Sequence, residues 1–258
     1  MRILLIGDIF GDCGMDYLRY ALPDIIERKN IDMVIANAEN AYGGNGLSYA
    51  QYDALMDMGV DVVTMGNHTF GRKDILKIFE NEHNIIRPLN YPEGTPGKGS
   101  VIVNRCGKNI AVINAMGRVN LLNIDCPFAA LKKAAEDLRD KADIIIVDFH
   151  AEATSEKRAM GYFLDGMVTC IFGTHTHVQT ADARILPRGT AYITDLGMTG
   201  AVDSVLGVRT DIIIDKFVTA LAQKFEPASG KAALQGAILT VDDATGKAAS
   251  LELVSESE

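Results

Sequence analysis

Short aliphatic runs alternate with amphipathic segments along the chain. The aliphatic runs predict seven strands, and two closing segments predict an antiparallel pair. The predicted strands are Arg2–Gly7, Asp32–Ala38, Asp61–Met65, Asn109–Asn114, Asp143–Phe149, Val168–Gly173, Ala191–Thr194, Gln235–Val241 and Ala248–Val254. The predicted helices are Tyr17–Lys29, Tyr49–Met58, Lys73–Glu80, Ala129–Lys141, Glu156–Phe163 and Asp211–Ala222.

The strand pattern indicates an α/β layered fold. The run Ile144–Val147 lacks polar alternation, which is typical of a strand covered on both faces. The closing pair favours a mixed sheet or a two-sheet sandwich over a purely parallel sheet, although the strand order does not follow from the pattern. The Pro- and Gly-rich stretch Arg87–Gly99 predicts a long loop rather than a linker, so we expect one domain over residues 1–258.

Composition and charge exclude several classes of protein. The 25 basic and 34 acidic residues give a formal charge of −9, which argues against a broad nucleic-acid or anionic-membrane surface. The apolar run Ile3–Ile6 is too short for a secretory signal, and no run approaches the roughly 20 residues of a membrane span. The four cysteines form no CxxC pair, so we expect reduced thiols in a cytoplasmic protein.

Unusual polar residues follow the predicted strands within a few positions. They are Asp8, Glu39, Asn40, Asn67, His68, His150, His175 and His177. Ligands of open α/β sheets bind outside the carboxyl ends of the strands, so these separated residues can converge on one cleft. Taken alone, Asp8 could cap a helix or turn and His150 could be a hydrogen-bonded core residue; it is the joint pattern that indicates a site.

The residue types predict a metal centre. Carboxylate, amide oxygen and imidazole together suit iron, manganese, zinc or cobalt, and no cysteine joins the set. Seven candidate ligands exceed what one ion needs, so we expect two metals with one bridging carboxylate, about 3.5–4 Å apart. The candidate ligands are Asp8, Glu39, Asn40, Asn67, His150, His175 and His177.

Three other segments receive no catalytic role. His83 lies in a polar turn and should be solvated. The glycine-rich segment Tyr42–Gly46 lacks the features of a phosphate-binding loop and predicts a flexible loop at the cleft rim. The acidic tail Ser255–Glu258 predicts frayed, solvent-facing chain.

The motifs resemble those of the calcineurin-like metallophosphoesterases. The matching residues, in order, are Gly7-Asp8, Glu39-Asn40, Gly66-Asn67-His68, His150 and Gly173-Thr174-His175-Thr176-His177. Two features depart from the common pattern, because Phe10 stands where a histidine is usual and Asn37-Ala38-Glu39-Asn40 replaces Gly-Asp-x-x-Asp. Both departures resemble the YmdB-type bacterial subfamily, as do the segments Met65–Thr69, Pro92–Gly99 and Asp148–Lys157. The resemblance runs from Met1 to about Lys216.

This resemblance implies a metallophosphoesterase-type layered β-sandwich of mixed sheets flanked by helices. It implies a 2′,3′-cyclic-nucleotide 2′-phosphodiesterase, with 3′,5′-cyclic AMP as a further substrate and in-line attack by a metal-bridging hydroxide. The resemblance also implies two metal ions, with iron as the preferred metal and manganese as the alternative. It further implies a homo-oligomer. One metal would be held by Asp8, Glu39, Asn40 and His177, and the other by Glu39, Asn67, His150 and His175. His68 is left to protonate the departing ribose oxygen.

Two other functions stay open at this stage. Fold and metal centre do not fix the substrate, so a phosphomonoesterase or nucleotidase is one alternative. The other is a non-enzymatic regulatory protein that uses the metals for structure or binding. Base preference does not follow from the sequence, although the loop residues Tyr42, Asn90 and Tyr91 are candidates to face the cleft.

Overall fold

The computed structural model describes residues 1–257, which form two β-sheets packed face to face with helices on the outer sides. The strands are β1 (Arg2–Ile6), β2 (Asp8–Ile9), β3 (Met33–Asn37), β4 (Val62–Thr64), β5 (Ile85–Ile86), β6 (Ser100–Arg105), β7 (Lys108–Met116), β8 (Ile144–His150), β9 (Cys170–Thr174), β10 (Arg184–Ile185), β11 (Ala191–Ile193), β12 (Met198–Ala201), β13 (Ala232–Val241) and β14 (Ala248–Ser257). The helices are α1 (Gly11–Lys29), α2 (Tyr49–Asp57), α3 (Asp74–Asn81), α4 (Pro127–Leu138), α5 (Thr154–Leu164) and α6 (Thr210–Thr219).

Both sheets are mixed. The first has the order β2-β12-β13-β1-β3-β4-β5, with β14 also paired to β13. Its strands β1, β3 and β4 are parallel, whereas β13 runs antiparallel to β1. The second sheet has the order β10-β11-β9-β8-β7-β6, in which β7, β8, β9 and β11 are parallel. The predicted fold class, a layered sandwich of mixed sheets flanked by helices, is therefore confirmed.

The alternation of side chains along β1 explains the layering. Ile3 and Leu5 pack between the two sheets, whereas Leu4 and Ile6 face the helices. Apolar residues on both faces bury the strand completely, and this is why no polar alternation appears in its sequence. Helices α1, α2 and α3 cover the first sheet, and α4 and α5 cover the second.

Helix α1 begins at Gly11, six residues before the predicted start at Tyr17. This first turn lacks apolar periodicity because it packs against the backbone of β12 rather than against side chains. A β-carbon at Gly14 would lie 2.3 Å from the carbonyl oxygen of Thr199 in β12. The glycine is therefore needed for close approach of helix and strand. The contact brings β12 beside β2, the strand that contains Asp8.

The prediction of a frayed acidic tail is wrong for Ser255–Ser257. These residues continue β14, and Ser257 pairs with Ala233 of β13. Glu256 also accepts a hydrogen bond of 2.9 Å from Arg28 of α1. The polar sequence of this segment does not predict the pairing, because the pairing depends on the register between β13 and β14. Glu258 lies outside the described residues.

The other differences are small. The pattern missed five strands, four of which have only two to four residues, namely β2, β5, β10 and β12. The fifth, β6, is the half-exposed edge of the second sheet. The predicted loop over Arg87–Gly99 contains no helix or strand, and His83 is exposed as expected. None of the helices in residues 1–257 has the length and apolar character that crossing a membrane requires.

Candidate metal centre

The predicted ligands come together at the carboxyl ends of parallel strands from both sheets. Three groups follow the neighbouring strands β1, β3 and β4 of the first sheet, and two follow β8 and β9 of the second. They are Asp8 after β1, Glu39 and Asn40 after β3, Asn67 after β4, His150 at the end of β8, and His175 and His177 after β9. The expected convergence of strand ends is therefore present in the structure.

Glu39 lies at the centre of the cluster and is fully buried. Its Oε1 lies 3.0 Å from Nε2 of His150, and its Oε2 accepts a hydrogen bond of 2.7 Å from the backbone N–H of His68. Donor atoms of Glu39, His150 and His175 all lie within 4.8 Å of one another, close enough to share an ion.

A second group surrounds Asp8. Oδ2 of Asp8 accepts a hydrogen bond of 3.0 Å from the backbone N–H of His175, and Oδ1 lies 3.6 Å from Nε2 of His177. The Asn40 amide nitrogen lies 3.2 Å from the same Nε2 and 3.5 Å from Oε1 of Glu39. The contacts therefore form two groups that share Glu39.

The donor set fits metal binding. Oδ1 of Asp8 is buried and has no hydrogen-bond partner among residues 1–257. An unsatisfied buried carboxylate oxygen is costly unless a cation reaches it. Two carboxylates, two amides and three imidazoles also supply the mixed oxygen and nitrogen ligands that transition metals accept.

Hydrogen bonds fix the orientation of two imidazoles. The Thr174 hydroxyl donates to Asp148 over 2.7 Å, so at 2.9 Å from His150 it accepts from Nδ1–H. His177 donates from Nδ1 to the carbonyl oxygen of Leu206 over 3.0 Å. In both rings Nε2 therefore faces other candidate ligands, Glu39 and Asn67 for His150 and Asn40 for His177. A second ring nitrogen held in this way is common in metal-binding histidines.

The charges at the centre are strongly coupled. Burial disfavours the ionised forms of Asp8 and Glu39, but the neighbouring histidines hold the pKa of both carboxyls below the usual range. Burial likewise disfavours the charged form of His150, yet Glu39 raises the pKa of its imidazole to about 9. Burial and the charge of His150 lower the pKa of His175 to about 3. Metal binding to His150 therefore has to displace a proton.

Close packing shapes the polar wall of the centre. A β-carbon at Gly66 would lie 2.3 Å from Nε2 of His150 and 2.5 Å from Oε2 of Glu39, so only glycine fits. His175 and His177 both adopt positive φ angles, 93° and 58°. Such backbone is unfavourable for these residues and requires support from its surroundings.

That support comes from residues that the sequence analysis missed. Lys157 and Asp195 form a buried ion pair of 2.7 Å behind the histidine loop. Asp195 accepts from the hydroxyl and backbone N–H of Thr176 over 2.6 and 3.3 Å, and Lys157 donates to the same hydroxyl over 3.1 Å. Asp195 follows β11 closely, which is the positional signal that identified the other site residues.

A cavity of about 490 Å³ opens onto the centre. The predicted rim loop contributes Gly43, Gly44 and Asn45, and His68 lines the cavity beside the candidate ligands. Phe10, in place of the usual histidine, is buried with its ring edge-on to His177 at 5.6 Å between centroids.

The three residues suggested for base contacts, Tyr42, Asn90 and Tyr91, do not line this cavity. Asn90 is instead buried, and its amide donates to the carbonyl oxygens of Met116 and Asp125. Its role is to fix the loop that follows β5.

Comparisons with known proteins identify relatives that match nearly the whole chain. A family model described as YmdB-like protein matches residues 4–254. The 2′,3′-cyclic-nucleotide 2′-phosphodiesterase of Bacillus subtilis is 46% identical over 254 residues, covering 98% of this chain and 96% of the relative.

Two solved structures extend the comparison. A crystal structure described as a novel phosphatase from Mycoplasma pneumoniae superposes with a TM-score of 0.94 at 38% identity, covering 100% of this chain and 94% of that chain. A putative 5′-nucleotidase from Staphylococcus aureus superposes with a TM-score of 0.63 at 14% identity, covering 98% of this chain and 53% of that chain. At that identity the second match shows a shared fold alone.

Proposed function

The chain belongs to the YmdB-like protein family, and from this premise we propose that it is a metal-dependent phosphodiesterase that hydrolyses 2′,3′-cyclic nucleotides. The bond broken is the one between phosphorus and the ribose 2′ oxygen, as in the name of the Bacillus subtilis relative. The nucleoside 3′-phosphate is then the product. The 3′,5′-cyclic phosphate of AMP is a further candidate substrate.

The observation that carries the proposal is the convergence of seven donor side chains around a buried carboxylate oxygen, Oδ1 of Asp8, that accepts no hydrogen bond from residues 1–257. The two contact groups support two ion positions that share Glu39. Asp8, Glu39, Asn40 and His177 would hold one ion, and Glu39, Asn67, His150 and His175 would hold the other. When bound, such ions would lower the pKa of a coordinated water and balance charge on the phosphate.

His68 is proposed as the general acid that protonates the leaving 2′ oxygen. It lines the cavity, and its Nδ1 donates to Oδ1 of Asn40 over 2.6 Å. This bond fixes the ring and leaves Nε2 to deliver a proton from the charged imidazole. Asn40 keeps a second lone pair on the same oxygen for an ion.

A His68→Ala variant tests this role. Turnover of 2′,3′-cyclic AMP should fall by about 10²–10⁴-fold, the usual contribution of a positioned acid, while metal content stays unchanged. Bis(p-nitrophenyl) phosphate should lose much less, because its leaving group departs without a proton. His83→Ala, at an exposed histidine, is the matched control. Loss of metal from the His68 variant would instead make His68 a ligand.

A substrate panel tests the activity itself. Hydrolysis of 2′,3′-cyclic AMP, 3′,5′-cyclic AMP and 5′-AMP is compared on one sample. The second candidate function is a phosphomonoesterase, favoured by the phosphatase description of the Mycoplasma pneumoniae relative. Preference for 5′-AMP would support it and would overturn the proposed diesterase.

The proposal extends to iron as the metal, with manganese as the alternative, to a cytoplasmic location and to a homo-oligomer. No disulfide joins the four cysteines, all of which lie in the described chain, in keeping with a reducing compartment. Elemental analysis of protein purified without added metal tests the ions. Sedimentation of the same sample tests the oligomer.

A further inference from the structure

The cavity has a second wall that the proposed metal chemistry does not use. This apolar wall consists of Leu206, Val208, Phe225 and Pro227, and buried Phe10 also lines the cavity. These residues come from the segments on either side of α6. The cavity therefore has both polar and apolar lining residues, as expected where a ligand has a charged and a flat apolar part.

The segment that contains Phe225 is held in place by backbone pairing. The N–H of Arg209 donates to the carbonyl oxygen of Glu226 over 3.0 Å, and the N–H of Ala228 donates to that of Gly207 over 2.8 Å. Both bonds fix the chain directly after Phe225. Phe225 is 47% exposed and lines the cavity, where it leaves a large apolar surface open.

One charged side chain approaches the Phe225 ring. Nζ of Lys216 lies 4.5 Å from the ring centroid, the geometry of a cation–π contact. The contact restrains the ring and occupies one of its sides. The remaining surface is available to another flat group.

We propose that Phe225 is the platform on which the base of a bound nucleoside 2′,3′-cyclic phosphate stacks. This inference rests on the proposed function, because it places the phosphate at the ion positions. The cyclic phosphate is fused to the ribose, so the base stands one sugar ring away from the reacting phosphorus. Phe225 lines the same cavity as the candidate ligands Glu39, Asn40, His175 and His177.

Stacking rather than hydrogen bonding sets the base preference in this proposal. Glu226 is the charged side chain of this wall, and its carboxylate already accepts a bond of 2.7 Å from Arg209. A base–aromatic stack accepts every base, and its strength follows the size of the ring system. Purine cyclic phosphates should therefore bind more tightly than pyrimidine cyclic phosphates, with little difference between adenine and guanine.

The test compares Phe225→Ala with the unaltered metal-loaded enzyme on two substrates. One is 2′,3′-cyclic AMP, and the other is methyl ribofuranoside 2′,3′-cyclic phosphate, which has no base. The variant should raise KM for cyclic AMP by roughly 5- to 150-fold, the effect of losing one base–aromatic stack, with kcat unchanged. Both parameters for the base-free substrate should stay the same, and Phe225→Trp should restore KM.

Phe217→Ala is the matched control, because this phenylalanine of α6 is 80% exposed and does not line the cavity. The purine preference should disappear in Phe225→Ala and persist in Phe217→Ala. Equal loss on the two substrates, or an unchanged KM for cyclic AMP, would overturn the platform. If the unaltered enzyme hydrolyses neither cyclic phosphate, the proposed function fails. If it hydrolyses both with the same KM, the proposed function stands and the stacking platform is overturned.

Discussion

Replacing Lys157 with methionine should lower the free energy of unfolding by about 3 kcal/mol, because it leaves the partner carboxylate buried without a cation. The substitution keeps a long apolar side chain and removes only the ammonium group. Both Lys157 and Asp195 are buried almost completely, with exposed side-chain fractions of 1% and 0%. Water therefore cannot replace the lost cation.

The magnitude follows from the contacts that Asp195 retains. Breaking a buried ion pair typically costs about 3–5 kcal/mol. Asp195 would still accept hydrogen bonds from the hydroxyl and backbone N–H of Thr176 and from the backbone N–H of Gly197 over 2.8 Å. Three remaining donors place the cost at the lower end of that range. The loop containing His175 and His177 also loses the bond from Lys157 to the Thr176 hydroxyl, so we expect reduced metal content.

Urea denaturation measures the change by linear extrapolation to zero denaturant. Lys133→Met is the matched control, because Lys133 forms an exposed helix pair with Asp137 and should change nothing measurable. A double variant with Asp195→Asn should recover part of the stability, since it removes the unpaired charge. A Lys157→Met variant as stable as the Lys133→Met control would refute the role of the ion pair.

Three further predictions concern the site and its surroundings. Gly66→Ala should lose most of its metal yet keep its circular dichroism spectrum, because the added methyl group would lie 2.3 Å from Nε2 of His150; unchanged elemental content would contradict the packing argument. Iodoacetamide should label exposed Cys106 and spare Cys170, since burial raises the pKa of the Cys170 thiol and blocks access. Peptide mass spectrometry checks this, and equal labelling rates would contradict it. Removing metal with a chelator should abolish nucleotide binding in calorimetry, because the chain has a formal charge of −9 and the ions would supply the positive charge of the cleft; tight binding by the stripped protein would count against two-metal recognition.

The sequence predicts those parts of the fold that local burial determines. The run Ile144–Val147 is a fully buried strand because both of its faces meet apolar layers, and its composition reflects this directly. By contrast, the start of α1 at Gly11 and the polar end of β14 depend on contacts with distant backbone. No local pattern encodes such contacts.

The site likewise contains residues that the local sequence predicts and residues that only long-range contacts explain. The candidate ligands could be predicted because each stands just after a recognisable aliphatic strand. Lys157 could not, since a lysine on an amphipathic helix normally points to solvent, and only its long-range partner Asp195 explains its burial. The apolar wall around Phe225 was also missed, because it forms when two loop segments pair.

The position of β1 between β3 and β13 has a consequence for synthesis of the chain. One edge of β1 can pair early with β3, but the other waits for a strand that begins more than 200 residues later, and Met1 pairs with Val241 across 240 positions. Until then an apolar strand edge stays open, a state prone to association with other chains. Asp8 lies at this seam and pairs with Met198 of β12. Metal binding at the proposed centre would therefore come late, once the ribosome has passed His150, His175 and His177 and the strands that close the sheet.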